Sequence, residues 1–205
     1  MDSEAIADRI RRESRRLGFC ACGMAKAEPV DERIARSYRL WIESKGNATM
    51  NYLANYMDIR LNPLLLMPGA KSIICLALSY APKHRMDPNR LHIASYAYGS
   101  DYHVVMRSKL NELAKLCCIG NYRICCDTTP ILEKYWAQRA GIGWIGRNRQ
   151  LIVPGAGSFL FLGEIITDID LPYDKPSPNR CPRGCRKKYG RVLLRMRSVP
   201  LGLSV

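Results

Sequence analysis

The chain has 205 residues, 47% of them apolar, which suits one domain with a sizeable core and a small extension. Its longest apolar run, Ile73 to Leu78, falls short of the roughly 18–20 residues that cross a membrane, and the acidic start Met1-Asp2-Ser3-Glu4 lacks a secretory signal core, so the expectation is a soluble cytoplasmic protein with no membrane partner. The formal charge of +14 points to a polyanionic partner, but eight Lys or Arg and no acid lie between Arg180 and Val205, leaving residues 1–179 with 24 basic and 18 acidic side chains.

In chain order, Ile6, Ile10, Ser14 and Leu17 share one face of a helix predicted over 3–17, with Ser3 as cap and Gly18 as terminator. Residues 19–25 read as a buried strand. A second helix is predicted from Asp31 to about Lys45, then a short one around Met50–Met57 and a turn-rich crossing over 62–69. Ser72–Tyr80 is apolar on both faces and reads as a central strand. Ser100 or Asp101 can cap a long helix running to about Cys118. A short strand, Tyr122–Cys126, precedes a helix that Thr129 would cap and Pro130 would open. Gln150–Val153 and Ser158–Thr167 read as strands joined in a hairpin by Pro154-Gly155-Ala156-Gly157. The pattern is α+β, alternating at the start and antiparallel at the finish. Pro172, Pro176 and Pro178 close the compact domain, giving a body over 1–175 and a basic tail over 176–205.

Nine cysteines without a secretion signal argue against a disulfide framework. The first seven lie in apolar stretches and read as packing residues. Cys181 and Cys185 sit among Pro, Gly and basic residues, and two thiols do not make a four-ligand zinc site.

Four segments can carry chemistry. Gly141-Ile142-Gly143-Trp144-Ile145-Gly146-Arg147-Asn148 lets a backbone approach something bulky, or forms a tight connection with Trp144 in the core. It is not the dinucleotide-binding glycine pattern, and it follows a helix instead of opening one. Asp127 ends an apolar strand just before a helix. It is either a turn residue or an acid that burial would have to keep protonated. Tyr102 and His103 stand at a helix start, where they bind a polar ligand or serve the fold. Arg60 clamps an anion or amide, or is a solvated charge.

Taken together, Arg60 with LNPLLLMPGAKSII, then YGSDYH at 98–103, CCDTTPILEK at 125–134, AGIGWIGRN at 140–148 and GSFLFLGEIITDIDL at 157–171 resemble the epoxyqueuosine reductase family over roughly residues 1–180. The resemblance implies a nitroreductase-like α+β domain whose mixed, largely antiparallel sheet is flanked by helices and which binds cobalamin. It also implies reduction of epoxyqueuosine to queuosine in a tRNA anticodon stem-loop, with an external electron donor. Asp127 matches the family's proton donor. Arg60, Tyr102, His103, Trp144, Asn148, Leu151 and Leu162 fall in cofactor-lining or adjacent motifs. A monomer is expected.

The chain also departs from the family pattern. The family often carries arginine where this chain has Ser95 or Ser100. Past about Asn179 the family continues with cysteine sets that hold two four-iron, four-sulfur clusters. Here only Cys181 and Cys185 follow, so those ligands are missing. The basic tail then reads as disordered or as a frame-shifted remnant of the iron–sulfur domain. Three readings stay open: an impaired reductase, a non-catalytic cobalamin-binding fragment, or a basic tRNA-binding protein.

Overall fold

A computed structural model describes residues 2–82, 89, 93–183 and 185. Helix α1 (Ser3–Arg16) is capped by Asp2, not Ser3, and buries Ala7, Ile10 and Ser14. Strand β1 (Ala21–Lys26) leads to α2 (Glu32–Glu43), where the Asp31 carboxylate accepts the Arg33 and Ile34 N–H groups and Tyr38 and Trp41 turn inward. The expected short helix around 50–57 splits into a single 3₁₀ turn, Asn51–Leu53, and α3 (Met57–Leu61). The crossing that follows contains α4 (Pro63–Leu66), with Asn62 as cap and proline at the first helical position. Next come β2 (Ser72–Ser79), α5 (Tyr102–Leu116) capped by Asp101, β3 (Tyr122–Cys125), α6 (Glu133–Arg139), β4 (Trp144–Ile145), β5 (Leu151–Ile152) and β6 (Leu160–Thr167).

The main sheet has the order β1-β2-β6-β3, and every pairing is antiparallel. This meets the expectation of an α+β fold with a largely antiparallel sheet between helices. Strand β2 is central, as its two apolar faces predict. On one face Met24, Ile74, Leu76 and Ile165 pack beneath α1 and α5. On the other, Ile73, Cys75, Ala77, Cys125 and Ile166 pack with Tyr38 and Trp41 of α2 and Trp136 of α6. Ile73, Ile74 and Leu76 are fully buried, each contributing about 1.5–3 kcal/mol.

Two sequence expectations are corrected. The hairpin between 150–153 and 158–167 does not form. Strand β5 pairs with β4, and β6 inserts between β2 and β3, leaving one isolated bridge, Val153 to Gly157, at the turn. The helix expected to open at Pro130 starts at Glu133, because tight turns from Thr128 to Cys126 and from Ile131 to Thr129 occupy the intervening residues.

Residues 174 and 177 pack back onto the body. The Asp174 carboxylate accepts hydrogen bonds from Arg11 and from the Met24 N–H (2.8 Å), and the Ser177 N–H donates to the Gln138 carbonyl (3.0 Å). Most of the basic tail lies outside the described residues. The nine cysteines are free; Cys75, Cys117, Cys125 and Cys126 are buried as packing residues, whereas Cys20 and Cys118 are exposed.

Candidate active site

The site forms where β3 ends and α5 begins. Asp127 follows β3 with φ of 54°, in the left-handed region that an aspartate enters more readily than most residues. Its Oδ2 accepts the Tyr102 hydroxyl at 2.6 Å and faces His103 Nε2 at 3.0 Å. His103 Nδ1 lies 2.8 Å from Asp101 Oδ1, the same oxygen that caps α5 by accepting the His103 N–H. One aspartate thus starts the helix and orients the imidazole. Arg107, one turn further along α5, donates to Thr128 Oγ1 at 2.8 Å and ties down the residue after Asp127.

Charge follows from this geometry. The hydrogen bond to Asp101, with a smaller contribution from Asp127, raises the His103 pKa above its ordinary 6.5, so the ring keeps its proton to higher pH. Burial and the hydrogen bond to Asp127 hold the Tyr102 phenol far above its usual value. Tyr102 is therefore a permanent donor to Asp127. The Asp127 side chain is itself 46% exposed. The sequence reading asked for a partly buried acid; the structure instead gives an open one, braced by its neighbours.

Two cavities meet at Asp127. The larger, of about 760 Å³, is bounded by Tyr52, Tyr56, Arg60, Tyr96, Tyr102 and Arg123. The smaller, of about 180 Å³, is bounded by Tyr80, Tyr102, Glu133, Lys134, Gln150 and Leu162. Tyr96, Tyr102 and Asp127 wall both. Among the described residues Arg60 Nε, at the larger cavity, is buried without a hydrogen-bond partner, a donor that a bound group with polar edges would satisfy.

The structure thus brings Arg60, Tyr102, His103 and Leu162 together around Asp127. Trp144, Asn148 and Leu151 belong to the β4–β5 hairpin and line neither of the two cavities. Leu151 is buried in the core, and Asn148 Oδ1 accepts the Gln150 N–H at the hairpin turn. Two glycines of the 141–146 segment serve the chain's own packing. A Cβ on Gly143 would lie 2.5 Å from the Ile152 carbonyl oxygen, and one on Gly141, where φ is 74°, 2.6 Å from the Lys175 carbonyl oxygen. Sequence reasoning missed Glu133 and Lys134, both buried beside Asp127. The available signal was a pair of charges just before the apolar Tyr135, Trp136 and Ala137.

Residues 60–128 match the family described as Epoxyqueuosine reductase QueG, DUF1730. A curated epoxyqueuosine reductase from Cellulophaga algicola is 40% identical over 182 residues, covering 87% of this chain and 59% of the relative. The chain belongs, as a partial N-terminal match, to the epoxyqueuosine reductase family. The Escherichia coli epoxyqueuosine reductase is 30% identical over 191 residues, 88% of this chain and 50% of its own length. The chain spans about half the length of the curated relatives it matches. Among solved structures, epoxyqueuosine reductase from Streptococcus thermophilus superposes with a TM-score of 0.77 at 29% identity, covering 88% of this chain and 50% of that one. An epoxyqueuosine reductase bound to an epoxyqueuosine-modified tRNA-Tyr stem loop gives a TM-score of 0.82 at 25% identity, covering 98% of this chain and 56% of that one. The catabolic reductive dehalogenase NpRdhA shares the fold, with a TM-score of 0.60 at 14% identity. Among the described residues no helix is long and apolar enough to cross a membrane, and no cluster of three or more metal-ligating side chains occurs.

Proposed function

We propose that this chain is the cobalamin-binding, proton-handling part of an epoxyqueuosine reductase acting on a tRNA anticodon stem-loop. The observation that carries the reading is the bracing of Asp127 by Tyr102 and His103 at the junction of two cavities. The residues suit the cofactor. A large ring with apolar faces and amide edges needs aromatic walls and donors at its rim. Tyr52, Tyr56 and Tyr96 offer the walls, and Arg60 Nε is a buried donor beside them. Leu162 adds an apolar contact on the other side of Asp127. When bound, cobalamin supplies the reducing electrons.

Net reduction of the epoxide takes two electrons and two protons and releases its oxygen as water; the chain's own side chains supply the proton for ring opening. Opening an epoxide leaves an alkoxide oxygen that must be protonated, and a positioned acid speeds such a step by roughly 10²–10⁴-fold. Asp127 reaches into the cavity and is the donor in this reading. In this reading the proton rests on His103, which stays protonated to higher pH than an isolated imidazole, and passes along the Nε2 to Oδ2 contact as Asp127 gives one to the alkoxide. Tyr102 keeps the carboxyl from rotating. In this reading an external electron donor keeps the cofactor reduced.

A second reading is a fragment that holds cobalamin and does not turn over unaided. Single-turnover reduction of an epoxyqueuosine stem-loop with a chemical reductant separates the two. We expect turnover in the native chain and a loss of at least about 100-fold in Asp127→Asn. Turnover in neither supports the fragment, and equal turnover in both removes Asp127 from the mechanism.

A further inference from the structure

Beneath the Asp127 turn lie two buried glutamates that the proposed chemistry does not use. The sheet register sets Gly23, Cys75, Glu164 and Cys125 in one row across all four strands, on the face covered by α6. Glu164 is wholly buried there, and neither carboxyl oxygen has a hydrogen-bond partner among the described residues. Glu133, the first residue of α6, is 6% exposed. Its Oε1 accepts the backbone N–H of Asp127 at 2.6 Å.

We propose that Glu133 is the positioning residue for the Asp127 turn: it is the charged member of the buried pair, and Glu164 is the neutral one. The reasoning starts from the backbone. Asp127 is in a left-handed conformation, so its turn needs a tether. The Tyr102 and His103 contacts hold its side chain, and Glu133 holds its main chain. An N–H bonds a carboxylate more strongly than a neutral acid, by enough to change the population of the held turn about fivefold.

The surroundings decide which glutamate carries the charge. Facing Glu133 are Asp127 from the turn, Arg60 from α3, Lys134 from its own helix, Tyr102 from α5, Cys75, Cys125 and Cys126 from the strands, and Glu164 from β6. Burial pushes Glu133 up to about 7, while the Asp127 N–H, Lys134 and Arg60 oppose that rise. Glu164 has no such help. Burial, and then the charge on Glu133, hold it protonated well above the carboxylate range. Lys134 does not neutralise the pair by contact, because its ammonium donates to the Arg149 carbonyl. The turn should therefore tighten as pH rises through neutrality. This assignment rests on the reading of Asp127 as the proton donor for its purpose, but its test needs neither cofactor nor activity.

The test is a pH titration of the full chain by amide NMR, following the Asp127 N–H. We expect a downfield shift with a midpoint near 7, present also in His103→Gln, absent in Glu133→Gln and unchanged in Glu164→Gln. A shift that persists in Glu133→Gln, vanishes with His103, or moves in Glu164→Gln overturns the assignment. So does an Asp127 amide that is flat between pH 5 and 9 in the native chain. Any of these results leaves the cobalamin reading standing. Failure to bind cobalamin with the titration intact does the reverse.

Discussion

Tyr102 lies flat on Phe161, with ring centroids 4.4 Å apart and planes within 1° of parallel. The stack continues to His103 on one side, at 4.0 Å, and through Phe161 to Tyr80 on the other, at 4.5 Å. Strand β6 thereby fixes the first turn of α5, and with it the hydroxyl that reaches Asp127. A double-mutant cycle with Tyr102→Leu and Phe161→Leu, read by denaturant unfolding, should show a coupling of about 0.5–1.5 kcal/mol. Additive losses would mean that the stack does not hold the tyrosine.

The imidazole of His103 titrates above 6.5 because two carboxylates face its two nitrogens. The contribution of its contacts to stability is complete below the unfolded pKa of about 6.5 and fades as pH rises through the higher folded value. Imidazole NMR should place the folded midpoint above that of a free histidine. Asp101→Asn should lower it more than Asp127→Asn, since the Asp101 hydrogen bond is the largest cause. A larger effect of Asp127→Asn would reverse the order of the two partners.

Gly143 has no room for a side chain beside the Ile152 carbonyl. Gly143→Ala should cost about 1–3 kcal/mol or more, and each kcal/mol lowers the melting temperature of a chain this size by about 2–4 °C. An unchanged melting temperature would show that the β4–β5 hairpin is free to shift.

Much of this was legible in the residues. Strand β2 declared itself because Ile73 to Leu78 is apolar on both faces and bounded by turns. The start of α5 followed from Asp101, whose carboxylate caps the helix it precedes. The placement of β6 was not legible, since pairing with β2 and β3 is long-range and no local residue marks it. The turn at 154–157 suggested a hairpin, but the two-residue β5 found its partner upstream in β4. At the site, Arg60, Tyr102, His103 and Leu162 were named from motifs and lie together. Glu133 and Glu164 were passed over, although Glu164 is the single charge within the apolar run of β6. A lone acid in a strand does not reveal from sequence which neighbours will cover it.

The central claim is a cavity around Asp127 that accepts a corrin. Equilibrium titration of the full chain with hydroxocobalamin, followed through the corrin absorption bands, tests it most directly. The expected result is saturable one-to-one binding that survives Asp127→Asn and weakens in Arg60→Ala. A folded chain that leaves the corrin spectrum unchanged at every concentration would contradict it.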